Sequence, residues 1–75
     1  MRNKDRALLL QQAAALITLG QVVEQAQQNL EKLKSWGVPD NAPEMTEALQ
    51  YWQRLDLEWR QLEAEHLALS TKLMD

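Results

Sequence analysis

One histidine, His66, and the run Glu63-Ala64-Glu65-His66 hold the densest chemical potential of this chain. On a helix, Glu63 and His66 stand about one turn apart on one face, the spacing at which a carboxylate and an imidazole can take a metal together. Two copies of Glu-x-x-His, joined by single inward glutamates from two more helices, make a dinuclear iron or manganese site inside a four-helix bundle. Those extra glutamates are missing, because Glu24 and Glu31 fall beside the apolar stripe of the first half of the chain and not on it. A metal-binding bundle using Glu63 and His66 is thus an alternative reading, and no metal or other cofactor is the expectation.

Other chemistry finds little material. The sequence has no cysteine, and Ser35, Ser70, Thr18, Thr46 and Thr71 show no spacing that suggests an activated nucleophile. The two glycines stand alone at 20 and 37, so no glycine-rich loop can cradle a phosphate. Most carboxylates fit solvated helix faces, where Arg54 with Glu58 and Asp56 with Arg60 are i,i+4 pairs. A non-enzymatic protein without a small-molecule substrate is expected.

Charge narrows the partners. The chain carries 8 basic and 11 acidic residues, a net charge of −3. Non-specific nucleic-acid binding needs clustered positive charge to release counterions, and only Arg2, Lys4 and Arg6 are concentrated here. Nucleic acid is therefore not the expected partner. The basic MRNKDR followed by ALLLQQAAALITLG imitates a secretory signal, but Asp5 sits in its basic part and Gln11 and Gln12 interrupt its apolar part. The stretch reads as too short and too polar to span a bilayer, and the chain as cytoplasmic.

These side chains can be positioned only by helices. The break SWGVPDNAPEM, residues 35–45, contains both prolines and one glycine, and long helical patterns flank it. Gly37 suits the left-handed position past a helix end, Lys32 and Lys34 suit the negative end of the dipole, and Pro39 prevents continuation. Asn41 can cap the next helix, with Pro43 in its first turn and Glu44 three residues on, as in a capping box. A single domain over 1–75 is predicted, with helix 1 at about 4–36, the loop at about 37–41 and helix 2 at about 42–73. Trp36 is expected to cover the loop end.

The heptads give the packing. In helix 1, Leu9, Leu16, Val23 and Leu30 recur every seven residues, and Gln12, Leu19, Ala26 and Leu33 follow each by three. In helix 2 the same pattern runs through Met45, Trp52, Trp59, His66 and Leu73, with Ala48, Leu55, Leu62 and Leu69 between them. An antiparallel hairpin folded about residue 39 makes facing numbers sum to about 78. Trp52 then meets Ala26, Trp59 meets Leu19 beside Gly20, and Leu55 meets Val23, so large rings meet small residues. His66 meets Gln12, which puts the only two polar seam residues into one layer where a hydrogen bond would fix register.

A surplus of apolar residues remains: Leu8, Leu10, Ala14, Ala15, Ile17 and Val22 on helix 1, and Leu57, Ala64, Leu67, Ala68 and Met74 on helix 2. Left in water, these would form a contiguous apolar patch in the loop-distal half, which soluble monomers rarely tolerate. A chain of this length also has a marginal core by itself. The predicted fold is all-α, an antiparallel helical hairpin that dimerises into a four-helix bundle through a coiled-coil-like seam. A helix of another protein is the other expected occupant of the same surface.

The predicted architecture resembles that of plasmid copy-control helical-hairpin dimers and of small secretion co-chaperones. The first resemblance implies a nucleic-acid-linked regulator as an alternative function, for which Arg2, Lys4 and Arg6 are the available bases. The function read from the residues themselves is a protein-protein interaction module, such as an adaptor, co-chaperone or small regulator.

Overall fold

The computed structural model describes residues 2–74, apart from the side chain of Met74, which lies outside the described part. Two helices, α1 (Asn3–Ser35) and α2 (Pro43–Met74), pack against each other as a hairpin, and no strand occurs among the described residues. The body is a rod of 53 × 15 × 14 Å.

The turn follows from how α1 ends. Gly37 has φ +79°, a left-handed conformation that costs glycine nothing. The Val38 N–H donates to the Leu33 carbonyl at 3.0 Å and the Gly37 N–H to the Lys34 carbonyl at 3.1 Å, the paired bonds of a Schellman ending. Val38 and Leu33 are both half-buried, as expected for the apolar contact that accompanies this motif.

Three expectations are corrected here. The first backbone bond of α2 runs from the Thr46 N–H to the Ala42 carbonyl, so Ala42 occupies the cap position and Pro43 the first helical one. Alanine has no side-chain oxygen, so the expected Asn41–Glu44 capping box is out of phase by one residue. Pro43 supplies the helix start instead, through its fixed φ. Trp36 does not cover the loop end: it is 73% exposed, because the helix ends at Ser35 and the chain turns away at Gly37. Lastly, α1 is long and apolar enough, by length and composition, to cross a membrane. The four glutamines between Gln11 and Gln25 do not offset the leucines, alanines, valines and isoleucine around them.

Burial follows the seven-residue pattern. Ala26, Leu30 and Met45 are buried, and Leu9, Leu16, Leu19, Val23, Leu33, Trp52, Leu55, Trp59, Leu62 and Leu69 are half-buried. The fully covered residues lie in the loop-proximal half, so the opposite half of the seam keeps one side in water. No side chain among the described residues is completely enclosed. Two helices can shield each other along one stripe only, and a third layer is needed to enclose a seam.

Candidate functional site

Two polar contacts cross the seam. Nδ1 of His66 lies 3.0 Å from Oε1 of Gln12, and because an amide oxygen only accepts, the ring nitrogen carries the proton. Both side chains are half-buried, so neither can exchange this bond for full hydration without opening the hairpin. Nearer the loop, Nε1 of Trp59 donates to the Leu16 carbonyl at 3.1 Å. That carbonyl belongs to the helix interior, so the indole reaches the backbone itself. Gly20 makes room for it: a Cβ at this position would stand 3.2 Å from Nε1.

Trp52 differs from Trp59. Its Nε1 is buried and has no hydrogen-bond partner. A buried unmet donor costs about 1–3 kcal/mol relative to a satisfied one, so the Trp52 ring holds its place by packing alone.

The metal alternative finds no ligand set within one chain. Among the described residues, no three His, Cys, Asp or Glu side chains converge. Nδ1 of His66 is committed to Gln12, and Glu63 is half-buried one turn away. Of the two expected helix-surface ion pairs, Arg60 meets Asp56 at 2.9 Å.

The surplus apolar residues are divided by exposure. Leu10 is 63% exposed, Ile17 65%, Leu57 57% and Leu67 58%. Leu8, Ala14, Ala15, Ala64 and Ala68 are also exposed, whereas Val22 is half-buried. The four large aliphatics are more than half exposed; Leu10, Ile17 and Leu67 lie in the loop-distal half and Leu57 near the middle of the rod.

A second feature was not legible from the sequence. Near the loop, Gln27, Glu31 and Lys34 of α1 and Leu49 and Trp52 of α2 line a surface hollow of about 220 Å³. Leu30, Lys34, Asp40, Met45 and Leu49 line an adjoining one of about 360 Å³. Leu49 stands four residues after Met45 and three before Trp52, the spacing that puts helix residues side by side, and that spacing was the available signal.

The chain matches no protein-family model, no curated protein and no solved structure.

Proposed function

We propose that the protein is a non-enzymatic protein-interaction module whose working form is a homodimer, with the loop-distal apolar face of each hairpin covered by the other copy. The observation that carries this reading is the exposure of Leu10, Ile17 and Leu67 in the loop-distal half of the rod, with Leu57 exposed near its middle. The chain exposes 5971 Å². A compact monomer of the same mass exposes about 4,700 Å², so roughly 1,200 Å² is surplus. A standard interface takes about 800 Å² from each partner, and this surface is large enough to supply it.

Apolar area gives the driving force, and the small residues Ala13 and Ala14 permit close helix approach. Four helices would then surround the part of the seam that two leave half-covered. The cytoplasm is the proposed compartment. Although α1 has the composition of a membrane span, its Gln12 is spent on His66 and its Leu16 carbonyl on Trp59, and insertion into lipid would break both bonds.

The test is the solution mass of Ile17→Glu/Leu67→Glu. The reading expects the parent to be a dimer and the double variant to be a monomer or unfolded. A double variant that remains a dimer contradicts it, because two buried carboxylates per chain would not be tolerated in the interface.

A further inference from the structure

Charge is distributed unevenly along the rod. Arg2, Lys4 and Arg6 stand at the start of α1, and the Gln12–His66 bond sets the register that brings Lys72 of α2 level with Arg6. Among the described residues, this loop-distal tip holds those four bases and one acid, Asp5, whereas residues 7–71 hold four bases and nine acids. The tip bases are all exposed and Asp5 is half-buried. The one ion pair among the described residues joins Arg60 to Asp56, so no acid there neutralises a tip base at contact distance.

Distance decides whether the remaining acids cancel this charge. Exposed charges are screened over a Debye length of about 8 Å at physiological ionic strength. After Arg6 the next charge on α1 is Glu24, about 27 Å further at about 1.5 Å per residue, and on α2 Glu65 stands about 10 Å from Lys72. The tip therefore presents a local positive field although the chain as a whole is acidic.

The residues beside the bases favour one kind of anionic partner. Arg2, Lys4 and Arg6 are two positions apart, about 200° around the helix each time, so they encircle the narrow end of the rod. Leu8 follows Lys4 by four residues and Leu10 follows Arg6 by four, which sets each leucine on the face of a base. Leu8 is 43% exposed and Leu10 63%, and helical side chains lean toward the N-terminus, here toward the tip. A base with an apolar stem beside an exposed leucine suits the headgroup boundary of a bilayer, where the charge stays among phosphates while stem and leucine lie deeper. A nucleic-acid backbone offers those leucines nothing, and the nearest aromatic ring that could stack on a base is Trp59, half-buried and level with Leu19.

We infer that the loop-distal tip docks on an anionic lipid surface, the four bases meeting the headgroups and Leu8 or Leu10 entering the headgroup layer. The contact is made by the folded hairpin and leaves the bonds of Gln12 and Trp59 intact. It is independent of the dimer: Leu8 and Leu10 are about 200° apart on α1, so a second copy that covers one leaves the other outside. The cytoplasmic leaflet of a cell membrane carries the required negative charge.

The test is cosedimentation of the full chain with vesicles of phosphatidylcholine containing about 30% phosphatidylserine, beside vesicles of phosphatidylcholine alone. Binding is expected to the first and not the second, and to be largely lost between about 0.1 M and 0.5 M salt. Arg2→Gln/Lys4→Gln/Arg6→Gln should lower the partition coefficient about a hundredfold, at about fivefold per base. Lys32→Gln/Lys34→Gln/Arg54→Gln removes the same charge from other exposed positions and should bind as the parent does. Circular dichroism checks that both variants stay helical. Equal losses in the two variants would assign binding to overall charge and overturn the tip, and failure of the parent to bind the anionic vesicles overturns the proposal outright. Tighter binding to duplex DNA than to the vesicles, lost in the first variant, would make the tip a nucleic-acid contact instead.

Discussion

The indole nitrogen of Trp59 bonds to the main-chain carbonyl of Leu16, 43 residues earlier in the chain, and Gly20 is the residue whose missing side chain lets it approach. The Leu16 carbonyl is also the normal i,i+4 acceptor for the Gly20 N–H, so one oxygen serves both the helix and the hairpin. Trp52 occupies the equivalent heptad position one repeat nearer the loop and makes no such bond.

The two tryptophans should therefore respond differently to losing the indole N–H. Trp59→Phe removes a satisfied bond and Trp52→Phe removes an unmet donor, while the loss of ring volume is similar. Trp59→Phe is expected to be the more destabilising by about 1 kcal/mol. Urea denaturation at one fixed protein concentration measures this, since the stability of a dimer depends on concentration. Equal effects would show that the 3.1 Å bond contributes nothing net.

Gly20→Ala sets two effects against each other. Alanine is favoured over glycine inside a helix by about 1 kcal/mol, but its Cβ would press on Nε1 of Trp59. The expectation is no gain, or a loss, in the parent chain and a gain approaching 1 kcal/mol in the Trp59→Phe background. The same gain in both backgrounds would mean that the ring moves aside freely.

The Gln12–His66 layer should show non-additivity. Gln12→Leu or His66→Leu alone leaves one half-buried polar partner unmet, at a cost of about 1–3 kcal/mol. Replacing both with leucine removes the unmet group and should recover most of that loss. A double variant whose loss equals the sum of the singles would indicate that the bond seen at 3.0 Å has no energetic role.

Much of this hairpin was legible in the sequence because its two periodicities agree. The seven-residue pattern alone places Trp59 near Leu19 and Gly20, and His66 opposite Gln12, since short loops leave little freedom in antiparallel register. The bond from Trp59 to the Leu16 carbonyl was not legible: it depends on a ring torsion, and backbone acceptors carry no sequence label. Trp36 misled for a related reason. A tryptophan beside a turn suggests a lid, but the helix phase at Ser35 directs it to solvent. The capping pattern at Asn41 competed with Pro43, whose fixed φ started the helix from Ala42. The exposed set from Leu8 to Leu67 read as one surface, because residue type shows apolarity while only helix phase shows which flank it occupies.

The account stands or falls on self-association through the loop-distal face, and sedimentation equilibrium of the unmodified chain across a hundredfold dilution tests it most directly. The predicted result is a species of twice the chain mass of 8.7 kDa, dissociating only toward the dilute end. A folded, helical species of the single-chain mass at every concentration would contradict it, because Leu10, Ile17, Leu57 and Leu67 would then remain in water without a second copy to cover them.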